Sequence, residues 1–98
     1  MKTKAKNKKL PAVIVRTYSA GVHFGYLVKR LDKEVHLTRS RRIWSWCGAN
    51  TLSEIATFGV AEGSRVAVPV DIILTEAIEI ISCAKTAVAN LDNAKWKQ

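Results

Sequence analysis

Apolar and polar positions alternate through the first half of the chain, which is typical of strands that bury one face of a sheet. Residues 12–18 (AVIVRTY) and 22–30 (VHFGYLVKR) are rich in β-branched and aromatic side chains, and a Ser-Ala-Gly turn separates them. A short connection at 31–33 leads to a third strand at 34–38. The pattern therefore predicts a three-stranded antiparallel meander.

Residues 41–47 (RRIWSWC) are predicted to form a fourth strand that ends at Gly48. A period of two residues places Arg42, Trp44 and Trp46 on one face of this strand. The opposite face would then carry Arg41, Ile43, Ser45 and Cys47.

Two short helices are predicted in the second half of the chain. The first follows Thr51, because a hydroxyl with Glu54 three residues later forms a capping-box pattern, and it ends at Gly59. The second covers residues 83–91, with Ser82 as its N-terminal cap.

The segment between the helices has mixed propensities. Residues 65–68 read as a short strand that Pro69 closes. In residues 70–81 (VDIILTEAIEII), isoleucine, leucine and threonine favour a strand, whereas alanine and glutamate favour a helix. We predict a strand that bends near its middle, and leave open whether it is one strand or two.

These elements together predict an α+β fold, a small curled antiparallel β-sheet or open barrel with two short helices. Residues 11–98 would form a single domain, with Trp96 packing the C-terminal tail against it, and residues 1–10 would form a disordered basic arm. A domain of 98 residues buries a limited core. A homo-oligomer is therefore expected, because association buries further surface.

The net charge of +8 is concentrated at one end of the chain. Five of the sixteen basic residues are lysines in the first nine positions, which leaves eleven basic residues against eight acidic ones in the body. A lysine run can follow phosphates but carries no specificity. The clustered basic residues of the body are therefore the more informative ones.

Several classes of protein are disfavoured by the sequence. The apolar runs are too short to span a membrane, and no apolar signal core follows the basic start. Cys47 and Cys83 have no metal-binding spacing, so they are predicted to be small buried residues in a reducing cytoplasm. No motif of an enzyme, cofactor or metal site is present, and none of these is expected.

Residues 39–46 (RSRRIWSW) are the strongest candidate for chemistry. Guanidinium groups form planar, bidentate contacts with phosphate, and indole rings stack on bases. Arg41, Arg42 and Trp44 are therefore candidate ligand residues. The alternative is that the tryptophans belong to the core and the arginines are solvated neighbours.

The turn within residues 16–23 (RTYSAGVH) is the second candidate. Its hydroxyls and backbone N–H groups could face an anion, with Arg16, Tyr18 and His23 around it. The alternative is an ordinary hairpin turn with a structural histidine.

Three strings, residues 15–27 (VRTYSAGVHFGYL), 41–56 (RRIWSWCGANTLSEIA) and 68–81 (VPVDIILTEAIEII), resemble a family of small uncharacterised proteins of tailed bacteriophages. The resemblance extends over most of residues 12–96. It implies a phage product that acts in the cytoplasm of an infected bacterium, and it transfers no functional residues. By analogy of setting alone, small basic phage proteins often bind a component of host defence.

The chain is therefore expected to be a non-enzymatic counter-defence protein that sequesters a small anionic, nucleotide-like ligand, such as a second messenger of bacterial immunity. One alternative is a nucleic-acid-binding accessory protein, which the lysine arm and the arginine–tryptophan strand favour. Another is an inhibitor that anchors to a host protein through exposed tryptophans. The ligand site is predicted to contain Arg16, Tyr18, His23, Arg41, Arg42 and Trp44.

Overall fold

The computed structural model describes residues 10–95, which form six strands and two helices. The predicted arm, apart from Leu10, and Trp96 lie outside the described residues. The elements are β1 (Ala12–Thr17), β2 (Val22–Leu31), β3 (Glu34–Ser45), α1 (Leu52–Phe58), β4 (Arg65–Val66), β5 (Val70–Leu74), β6 (Ala77–Ser82) and α2 (Lys85–Asn93). No helix in this part of the chain is long and apolar enough to cross a membrane.

All strand pairs are antiparallel, and the sheet has the order β4-β3-β2-β1-β6. β3 has two partners along one edge. Its first half pairs with β5, and its second half pairs with β4. Two residues join β5, which pairs with β3, to β6, which pairs with β1 at the opposite edge of the sheet. The chain therefore passes from one edge of the sheet to the other within a short span. The described strands therefore form a curled, open sheet, and the predicted α+β class is confirmed.

The segment 70–81 is a strand bent at its middle, as predicted, and the bend divides it into β5 and β6. The prediction of separate strands at 34–38 and 41–47 is wrong, because β3 is continuous. At the junction Arg39 has a φ of 50°, and the register with β2 shifts there. Gly25 allows β2 and β3 to approach each other closely at this junction, since a Cβ at Gly25 would lie 3.1 Å from Leu37 Cβ and from Ser40 Cα.

The sheet buries residues on both faces. One face, here called the helix-side face, packs against α1 and α2 and carries Ile14, Phe24 and Ile43. The other, here called the inner face, packs against itself as the sheet curls. Its buried residues are Val13, Val15, Val35, Leu37 and Leu74.

Local signals set the helix ends. Thr51 accepts a hydrogen bond from the backbone N of Glu54 at the start of α1, and Gly59 ends the helix with a φ of 87°. The predicted role of Ser82 as the cap of α2 is wrong, because Ser82 still lies in β6. Ala84 occupies the cap position and forms no side-chain cap bond.

Candidate functional site

Arg41 is a structural residue rather than an exposed phosphate ligand. Its side chain is only 3% exposed, because Arg41 lies opposite Phe24 on the helix-side face. The guanidinium donates from Nε to the carbonyl of Ala67 at 2.8 Å and from Nη1 to that of Leu91 at 2.8 Å. Burial lowers the pKa of Arg41, and the charge of Asp92 partly offsets this effect. We therefore leave Arg41 out of the ligand surface, since it fastens the end of α2 to the sheet.

His23 is buried on the inner face, between Val15 and Arg42 in register. Its Nε2 donates to the carbonyl of Ala20 at 2.9 Å. Burial lowers the pKa of His23; the hydrogen bond to Ala20 opposes the shift, and the charge of Arg42 adds to it. The neutral imidazole of His23, whose Nε2 proton bonds to the Ala20 carbonyl, thus stabilises the turn between β1 and β2.

This state of His23 makes folding stability depend on pH. Because the unfolded histidine binds a proton below a pH of about 6.5 and the buried one resists it, stability falls as pH drops below that value. We expect His23→Gln to flatten the pH dependence of the free energy of unfolding below neutrality. Urea titrations of both proteins across this range measure the two slopes, and equal slopes would contradict a neutral buried His23.

The hairpin turn uses its polar groups internally. The hydroxyl of Thr17 donates to the carbonyl of Gly21 at 2.9 Å and accepts from the backbone N of Ala20 at 2.7 Å. The hydroxyl of Ser19 donates to Glu76 at 2.6 Å. The alternative of an ordinary structural turn therefore describes this segment better than an anion-binding loop. Tyr18 extends from it with 79% of its surface exposed.

Arg16 lies on the other face from Arg42. Arg16 pairs with Val22, and Val22 pairs with Ile43. Because cross-strand partners share a face of the sheet, Arg16 lies on the helix-side face with Ile43, whereas the neighbouring Arg42 lies on the inner face. Arg16 also forms an ion pair with Glu79, with 3.4 Å between Nε and Oε1. The structure thus separates Arg16 from the arginine–tryptophan segment.

An exposed cationic and aromatic surface does remain, formed by Arg42, Trp44 and Arg65 and here called the Arg–Trp surface. Arg42 and Trp44 are two residues apart near the end of β3. Both are exposed, and Trp44 is 48% exposed. Arg65 lies opposite Ser45 on β4, and its guanidinium carbon is 5.2 Å from the centroid of the Trp44 ring. The guanidinium of Arg65 thus lies over an exposed indole, and the exposed Arg42 stands two residues before that indole on β3.

Sequence reasoning identified Arg42 and Trp44 but not Arg65. The only signal for Arg65 was a basic residue at the start of a predicted short strand after a Gly-Ser turn. Pairing between β4 and β3 brings it to Trp44, and this tertiary contact has no local signature.

The prediction that Trp46 shares a face with Arg42 and Trp44 is wrong. A register shift between Ile43 and Ser45 breaks the alternation at the end of β3, and Trp46 packs against the helix-side core. Trp46 is therefore partly buried against the core, whereas about half of the Trp44 surface is exposed.

The two cysteines also differ from the prediction of two buried thiols. Cys47 follows the end of β3 and is exposed, with its backbone N donating to the hydroxyl of Ser64. Cys83 is partly buried against the helix-side core, and burial raises its pKa to about 11. The described residues contain no group of three or more potential metal-ligating side chains.

Comparisons with known proteins give one match. No curated protein and no solved structure matches the chain. A family model with the description "Domain of unknown function (DUF6948)" matches residues 10–91, a range that contains all six strands and α1. The chain therefore belongs to the DUF6948 family of domains of unknown function.

Proposed function

We propose that this protein is a non-enzymatic binding protein whose ligand is a small phosphate-bearing nucleotide. The observation that carries the proposal is the Arg–Trp surface, where Arg42, Trp44 and Arg65 lie together on one exposed part of the sheet. In the setting that the resemblance to phage proteins implies, the ligand would be a nucleotide signal of bacterial immunity, sequestered in the host cytoplasm.

The chemistry of these side chains matches the parts of a nucleotide. A guanidinium offers planar donors that pair with two phosphate oxygens, and it keeps its charge at any physiological pH. The exposed indole of Trp44 offers a flat surface to a base, and stacking contributes about 1–3 kcal/mol per base. The contact between Arg65 and the ring restrains Trp44 before a ligand binds, which reduces the entropy lost on binding.

A second candidate is binding to single-stranded nucleic acid. The Arg–Trp surface is open to solvent rather than enclosed, and an open cationic groove with an aromatic platform is the usual form of such sites. The lysines among the first nine residues would add phosphate contacts. Binding of a polynucleotide should then weaken steeply with salt and with removal of residues 1–9, whereas a small nucleotide should bind the shortened protein equally well.

The test is a calorimetric titration of the full chain with a mononucleotide, a short cyclic oligonucleotide and a single-stranded oligonucleotide. We expect Trp44→Ala to weaken binding of the preferred ligand about tenfold or more, because it removes the stacking surface. The control is Phe58→Ala, which removes an exposed aromatic side chain at the end of α1. Failure of all three ligands to bind, or equal effects of the two substitutions, would overturn the proposal.

A further inference from the structure

A groove of about 610 Å³ lies between the start of β6 and the β2–β3 hairpin, and none of the three residues of the Arg–Trp surface lines it. The backbone N of Ala77 donates to the carbonyl of Lys33 at 3.0 Å, and both residues line the groove. This hydrogen bond joins the two walls. The groove is therefore formed by the fold itself, before any ligand binds.

The apolar part of the groove is aliphatic. Leu27 and Ile80 are partly buried against the inner-face core, and Ile78 is 53% exposed. Among the described residues, no aromatic side chain lines the groove. The groove therefore offers contact to an aliphatic side chain of a ligand, but no flat surface on which a base could stack.

The charged residues of the groove are Arg30, Asp32 and Lys33. Arg30 pairs with the buried Val35 of the inner face, so its side chain lies on the groove side of the hairpin. All three are exposed, and within the described part of the chain none of their side chains forms an ion pair or a hydrogen bond. Two unpaired positive charges against one negative charge favour an anionic ligand.

We propose that this groove binds an acidic segment of a partner protein. An aliphatic side chain of the segment contacts Ile78, and carboxylates beside it pair with Arg30 and Lys33. A nucleic acid fits less well, because the groove attracts its phosphates but gives its bases no aromatic platform. The groove and the Arg–Trp surface share no residue, so this binding is distinct from that of the nucleotide.

The test is an NMR titration of the full chain, labelled with nitrogen-15, with three synthetic peptides. The first contains leucines flanked by glutamates, the second has glutamine in place of each glutamate, and the third has serine in place of each leucine. We expect the first peptide to shift the amide signals of Arg30, Lys33 and Ile78, and to bind at least about fivefold more tightly than the other two. A single-stranded oligonucleotide should leave these signals unchanged.

Substitutions of the hairpin charges should change the affinity for the first peptide in opposite directions. Arg30→Gln should weaken binding about two- to fivefold, the range for an exposed ion pair. Asp32→Asn should strengthen it about twofold, because it removes a repulsive charge and asparagine tolerates the left-handed backbone at this position, where φ is 58°. Lys29→Gln is the control and should have no measurable effect, since Lys29 pairs with His36 on the opposite face of the same hairpin.

The aliphatic contact has its own pair of variants. Ile78→Ser should weaken binding at least about fivefold, whereas Ile73→Ser, which changes a similarly exposed isoleucine on β5, should not. The dispersion of each spectrum reports whether the variant is folded. Groove signals that the first peptide does not shift, equal losses in Arg30→Gln and Lys29→Gln, or an oligonucleotide bound in the groove would each refute the proposal. Arg30→Gln should bind the nucleotide as the natural chain does, so a failure here leaves the Arg–Trp surface unaffected.

Discussion

Replacing Arg41 with methionine should destabilise the protein by about 3 kcal/mol, because one buried and one part-buried carbonyl group lose a charged donor. Methionine keeps an apolar stem of similar length, so the change removes the hydrogen bonds to Ala67 and Leu91 and leaves most of the packing. Arg41→Lys should have an intermediate effect, since an ammonium cannot reproduce the forked geometry of Nε and Nη1. The measurement is urea unfolding followed by circular dichroism.

The neighbouring residue supplies the control. Arg42 lies on the same strand but is exposed, so Arg42→Met should change the free energy of unfolding by less than about 0.5 kcal/mol. If Arg41→Met were as stable as Arg42→Met, the buried guanidinium would not fasten α2 to the sheet. Arg41 would then become a candidate for ligand binding again.

The contrast between these two arginines shows where sequence reasoning reaches its limit. Local signals predicted the β2–β3 connection, the start of α1 at Thr51 and its end at Gly59, because each depends on residues close in sequence. The partners of Arg41 lie 26 and 50 residues away, and alternation alone could not show that its face is covered by α2.

Irregularities in the strands account for most of the other differences. β3 continues through the register shift at Arg39, where two separate strands were predicted. The register shift beyond Ile43 turns the side chain of Trp46 towards the core. A period of two residues fails wherever the backbone leaves a regular extended conformation, since one extra residue reverses every later side chain. Such bulges form through cross-strand contacts, which the sequence does not display.

Reversing the charge of Arg42 should abolish tight binding of a phosphate-bearing ligand while the fold remains intact. A charge-assisted hydrogen bond contributes about 1.5–3 kcal/mol, so its loss together with repulsion from a carboxylate predicts a decrease in affinity of about a hundredfold. Because Arg42 is exposed, Arg42→Glu should unfold within the range of ordinary surface substitutions. Calorimetric titration with the preferred nucleotide, alongside urea unfolding, measures both quantities.

Lys29→Glu separates a specific contact from the general field of a basic protein. It changes the net charge by the same amount, and Lys29 is an exposed residue near the far end of β2, opposite His36. Long-range attraction would make the two substitutions equivalent and would fade with added salt. A contact between Arg42 and phosphate makes Arg42→Glu much the more damaging, whereas equal losses, or no loss from either, would contradict the Arg–Trp surface as the ligand site.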